Sequence, residues 1–162
     1  MIRRRDLLQW TVLSFAGLAL GDWGTLEAAA DPLPSGLPAE FLKRASALNY
    51  DLAKLWAAFS QVKTSYQSRN PAALWHVSTV PLLVIGNGRR IEVKSLRQLR
   101  RLEPIIFAAK IRGAVAQCEF ASLFLNSDGA MIGDGEVWIK EICEDAECKK
   151  SKFLVSTIDL FG

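Results

Sequence analysis

The chain has 162 residues, half of them hydrophobic, with 20 Lys and Arg against 17 Asp and Glu, a single His and a net charge of +3. That length fits one ordinary domain behind a short leader, and no internal repeat or low-complexity segment is present. So slight a positive balance does not by itself imply a nucleic-acid partner.

The amino end reads as an export signal. Arg3, Arg4 and Arg5 form a positive patch. Residues 4–9 lie close to the R-R-x-F-L-K pattern of twin-arginine signals, with Leu7 in place of Phe. A mildly apolar run over residues 10–20 follows, too short for the roughly 20 residues that span a bilayer. Ala28, Ala29 and Ala30 then supply a small-residue cleavage pattern. An amphipathic helix belonging to the fold is the alternative, but Gly17, Gly21 and Gly24 would each cost about 1 kcal/mol in a helix interior. Residues 1–30 are therefore expected to be a twin-arginine-type signal peptide, with the general secretory route as the alternative. The mature chain is expected in the periplasm or outside the cell. No later segment is long and apolar enough for a membrane helix.

Residues 31–37, with Pro32, Pro34 and Gly36, read as a flexible leader, and residues 38–162 as a single domain. Beyond Pro38, Phe41, Ala45, Leu48, Leu52, Leu55, Phe59, Val62 and Tyr66 recur at alternating spacings of four and three. That stripe predicts one continuous helix of about eight turns. Asn70 before Pro71 predicts a short second helix ending at His76. Residues 77–85 are apolar and β-branched, Gly86-Asn87-Gly88 is a hairpin signal, and residues 90–93 return. Pro81 lacks a donor, which suggests an edge position for this pair.

Ser95 and Gln98 predict a capping box for a third helix with Leu96, Leu99 and Leu102 on its apolar face. Pro104 should break it, with a second piece over residues 111–117. Residues 122–126 and 130–132 read as strands around a Ser127-Asp128-Gly129 turn. Gly133-Asp134-Gly135 reads as a bulge inside one long strand that continues through residues 136–142, and residues 152–160 return. The order predicts an α+β fold: a long N-terminal helix plus shorter helices packed on a curved, mainly antiparallel sheet.

Cys143 and Cys148 bracket a short acidic turn, which in an oxidising compartment predicts a disulfide. A metal site is the alternative, but it lacks a second Cys pair and has only His76 to draw on. Neither a metal nor a cofactor is expected. Cys118, flanked by Val115 and Phe120, is expected to be a buried free thiol.

The segments DLAKLWAAFS, VPLLVIGNGRRIEV and LFLNSDGAMIGDGEVWI, followed by the late Cys pair, resemble the nuclear transport factor 2-like superfamily, also called the cystatin-like cone fold. Within it they are most similar to small exported members without an assigned activity. The resemblance covers most of residues 38–160 and implies a curved sheet wrapped around a long helix, often with a pocket at the open end. Enzymes of the superfamily place an Asp, or an Asp–His pair, inside the cone. Neither arrangement matches positions here, and fold alone does not choose a function.

Three residues are candidates for catalysis. His76 is the one side chain whose ordinary pKa lies near neutrality, though it could equally cap a helix end. Asp134 and Glu136 would share a strand face with Trp138 under strict alternation; the alternative is a turn residue and a solvated one. Trp75, Met131, Glu136 and Trp138 are the expected pocket lining. Arg90, Lys94, Arg97 and Arg101 form a basic row, either the wet side of a helix or a contact for an anionic ligand or acidic partner. Aromatics do not interleave with it, which argues against single-stranded nucleic acid.

The expected function is an exported binding or accessory module without catalysis. The alternatives are a cofactor-free lyase or isomerase acting on a small hydrophobic compound, and an inhibitor or immunity-type protein. The partner is then a small hydrophobic ligand or a protein, with a homodimer left open.

Overall fold

The computed structural model describes residues 32–161, so the signal at residues 1–30 and the cleavage point before Asp31 lie outside it. The expected eight-turn helix is two helices, α1 (Ala39–Ala47) and α2 (Leu52–Gln67). Asn49 takes φ +56. Its N–H donates to Ser46 O and that of Tyr50 to Ala45 O, both at 3.0 Å, which is the paired bonding of a Schellman stop. Asp51 then restarts the chain by accepting from the N–H groups of Ala53 and Lys54. The apolar stripe said which side meets the core, and Phe41, Ala45, Leu55, Phe59, Val62 and Tyr66 are indeed buried. It could not register a stop and a cap written in single polar residues.

At the far end of α2, Asn70 accepts from the N–H groups of Ala72 and Ala73 and caps α3 (Pro71–His76). Next come β1 (Ser78–Gly86) and β2 (Arg89–Val93), joined through Asn87 and Gly88 at φ +49 and +69. Two successive left-handed residues match the twist of a tight hairpin. Ser95 and Gln98 cap α4 (Leu96–Arg101), with the Gln98 side chain accepting from the Lys94 N–H at 2.6 Å. Pro104 sits in the first turn of α5 (Glu103–Ile106), and α6 (Ala109–Gln117) follows. One 3₁₀ turn at Phe120–Ser122 leads into β3 (Phe124–Asn126), β4 (Gly129–Ile132), β5 (Val137–Cys143) and β6 (Ser151–Asp159).

The strands form one mixed sheet in the order β2-β1-β6-β5-β4-β3, with β1 and β6 parallel and the other neighbours antiparallel. The α+β expectation holds, but two local readings are corrected. First, the β1–β2 pair does lie at one edge of the sheet, but β2 is the edge strand and Pro81 is on β1, one strand in. Pro81 is tolerated there because it precedes the β2 ladder, which starts at Leu82, and falls where the β6 pairing skips between Ser78 and Leu83. Second, residues 133–136 are not a bulge. Ile132 pairs with Val137, so these four residues turn the chain between β4 and β5, with Gly133 at φ +70 and Gly135 at φ +121.

One face of the sheet carries the cross-strand row Val84, Ile158, Val137 and Ile132, all fully buried. Against it lies α2, which contacts β6 and presents Leu55, Phe59, Val62 and Tyr66. The opposite face carries Leu83, Thr157, Trp138, Met131 and Phe124 in one row, all at least partly exposed.

Cys143 and Cys148 are disulfide-bonded across 4.7 Å between Cα atoms, while Cys118 is free and buried. Around the bridge, Asp145 accepts from the N–H groups of Lys149 and Lys150, and Glu144 pairs with Lys152 at 2.7 Å. That Lys152 contact holds the Glu144 carboxyl below its usual value. The closed loop is short, so its loss should cost about 2 kcal/mol. Denaturant titration of the oxidised protein and a Cys143→Ser/Cys148→Ser variant should show that difference. Thiol counting on the unreduced, denatured protein should find one free thiol; three, or a bridge through Cys118, would contradict the pairing.

Candidate functional site

Helix α6, AKIRGAVAQ, is held to the core by Ile111 and Val115, each 1% exposed, and packs beside α2. Its remaining surface carries Lys110, Arg112 and Gln117 around a stripe of small residues, Ala109, Gly113, Ala114 and Ala116. A Cβ placed on Gly113 would meet no atom within 4 Å, so the helix stands back from its surroundings there. Clefts open on both sides of this stripe.

The larger cleft, about 500 Å³, lies between α6 and the β4–β5 turn, and is lined by Lys110, Ala114, Gln117, Ser122, Asp134 and Glu136 among others. Glu136 is the group of greatest chemical interest. It is only 3% exposed, and its Oε2 accepts from the Asp134 N–H at 2.7 Å. Gly133 makes room for this, because a Cβ there would overlap the Glu136 carboxylate and crowd Ala114. Oε1 has no protein partner among the described residues. A carboxylate can accept about four hydrogen bonds, and buried polar groups are normally satisfied. Glu136 thus presents an open acceptor to the cleft. Asp134, at the exposed rim, adds negative charge, and Lys110 adds a positive one.

The sequence-based site residues do not converge on this cleft. His76 is exposed at the end of α3, in a separate depression of about 310 Å³ lined by Lys54, Gln61, Ser151 and Lys152. Trp75 is half-buried against the core. Met131 and Trp138 are paired across β4 and β5 on the other face of the sheet, and Trp138 borders a depression with Asp128, Lys140 and Thr157. The expected pocket of Trp75, Met131, Glu136 and Trp138 is therefore not assembled. Because residues 133–136 form a turn, the alternation that put Glu136 and Trp138 on one face does not run through them.

Of the basic row, Arg90, Lys94, Arg97 and Arg101 are all exposed, Lys94 pairs with Glu92 at 2.9 Å, and Leu99 is the buried side of α4. That is the wet face of an amphipathic helix and its neighbouring strand. What sequence reading missed is the role of α6. The signal was Ala109, Gly113, Ala114 and Ala116, small residues set among the large or charged ones of this helix.

Among the described residues no group of three His, Cys, Asp or Glu side chains could hold a metal ion, and no helix is long and apolar enough to cross a membrane. No protein-family model matches the chain, and no curated protein or solved structure matches it either.

Proposed function

We propose that the mature chain is a small exported binding module of the nuclear transport factor 2-like fold, which holds a small ligand against α6 and does not turn it over. The observation that carries this reading is Glu136: a buried carboxylate with one oxygen tied to the Asp134 N–H and the other open to a cleft. Such a group anchors a ligand N–H or a cationic head strongly, since charge-assisted hydrogen bonds are about twice as strong as neutral ones. Turnover by a lyase or isomerase is best served by a proton-handling pair. His76, the candidate with an ordinary pKa near neutrality, is exposed in a different depression, and Asp134, at the rim of the Glu136 cleft, meets Glu136 through its backbone N–H. The disulfide supports an oxidising compartment, in keeping with export to the periplasm.

Methylguanidinium is a suitable probe for the Glu136 anchor. Titrated into the mature protein, it should shift the backbone amide signals of residues 133–136 and of Gly113 and Ala114 in a saturable way. Glu136→Gln retains an oxygen for the Asp134 N–H, so the fold should stand while affinity falls at least about tenfold, the loss of one charge-assisted bond. Unchanged affinity in that variant would remove Glu136 from the site.

A further inference from the structure

The second cleft on α6 differs from the first in the sign of its charge. It has a volume of about 280 Å³, and its lining includes Lys63, Tyr66, Arg112, Val115 and Ala116. Two cations border it and no acidic residue does. Two of its lining residues also carry a buried polar group without a hydrogen-bond partner, the Tyr66 hydroxyl and the Arg112 Nε–H. Tyr66 is 1% exposed, its ring packed at 5.1 Å from that of Phe107. Leaving either group unpaired is costly, and more so for the charged one, because a buried donor forfeits its hydrogen bonds to water. Elsewhere in the described residues a single further side-chain atom, Ser60 Oγ, is in that condition. Two orphan donors in one small cleft point to a missing acceptor.

Both orphans can donate, and Arg112 Nε can do nothing else. Burial pushes the Tyr66 phenol well above its ordinary value, so it keeps its proton and remains a donor. Lys63, whose ammonium donates to Cys118 O at 2.9 Å, has two further protons at the rim. The rest of the wall is Gln67, Gly113 and the small aliphatic surface of Ala109, Val115 and Ala116.

We propose that the cleft between α2 and α6 binds the carboxylate of a small organic acid, with Tyr66 Oη and Arg112 Nε donating to the anionic head and the apolar body lying against Val115 and Ala116. The site is separate from the Glu136 cleft and does not depend on it.

Benzoate is the probe, with benzyl alcohol as its neutral counterpart and inorganic phosphate as an anion without an apolar body. In NMR titration of the mature protein, benzoate should produce a saturable shift of the Arg112 Nε–H signal and of the Val115 and Ala116 amides. Benzyl alcohol and phosphate should bind at least about tenfold more weakly. Tyr66→Phe removes a hydroxyl that has no partner, so the melting temperature should hold or rise while benzoate affinity falls about tenfold. Arg112→Gln should abolish the response, and Glu136→Gln should leave it intact. Absence of a benzoate response, equal affinity in Tyr66→Phe, or equal competition by benzyl alcohol would overturn the assignment. Phosphate binding as tightly as benzoate would overturn the organic-acid part.

Discussion

Gly129→Ala should destabilise the protein by about 3 kcal/mol or more, from about 1–2 kcal/mol of backbone strain plus about 1–3 kcal/mol of overpacking. Gly129 opens β4 at φ +143, a conformation that side chains disfavour. An added Cβ would also overlap the Ile139 carbonyl oxygen on β5 and lie 3.4 Å from Lys140 Cα. The obstruction is backbone, so no rotamer change relieves it, and the β4–β5 ladder would have to part. The turn just before is equally committed, with Asn126 Oδ1 accepting from the N–H groups of Asp128 and Gly129. Gly113→Ala is the contrasting case: it sits in a helix with open space above it, and should gain about 0.5–1 kcal/mol. Urea unfolding of the two variants should move the midpoint in opposite directions. A Gly129→Ala protein within 1 kcal/mol of the parent would mean the turn is looser than described.

Phe59→Ala should cost about 3–5 kcal/mol, the range for deleting a buried aromatic side chain. Phe59 is 2% exposed at the centre of α2, its ring 5.6 Å from that of Phe120 and 5.9 Å from that of Trp56. Phe120 in turn meets Phe41 at 5.4 Å, so the cluster ties α1, α2 and the 3₁₀ turn together. Domains of this size are stable by about 5–15 kcal/mol, so the loss would be a large share of the total. The denaturation midpoint should fall with the slope unchanged. A loss under 1 kcal/mol would contradict the packing.

How far these features can be read from the residues depends on the range of the interactions that set them. Asn70, Ser95 and the Asn87-Gly88 pair act within four residues, and each turned out to cap or turn as its chemistry suggests. The Cys143–Cys148 bridge is equally local. The α1–α2 break is also local, but it is set by Asn49 and Asp51 alone, while the apolar stripe runs through it at unbroken helical spacing. Register across the β4–β5 turn was beyond reach, because two glycines fit a bulge and a reversal equally well. Deciding between them requires knowing that Ile132 faces Val137. The site suffered from that choice, since the faces of Glu136 and Trp138 hang on it. The clefts of α6 depend on the approach of α2 on one side and the turn on the other, which no single segment encodes.

The central claim, a non-catalytic binding module with its ligand held at α6, is most directly tested by one NMR experiment. The small-molecule fraction of a periplasmic extract from the producing cells is added to the labelled mature protein, and both protein and small-molecule signals are followed over time. The account predicts shifts concentrated on residues 109–117 and 133–136, with every small-molecule signal constant in area. Shifts confined to the His76 depression or the Trp138 face, or steady consumption of one compound, would contradict it.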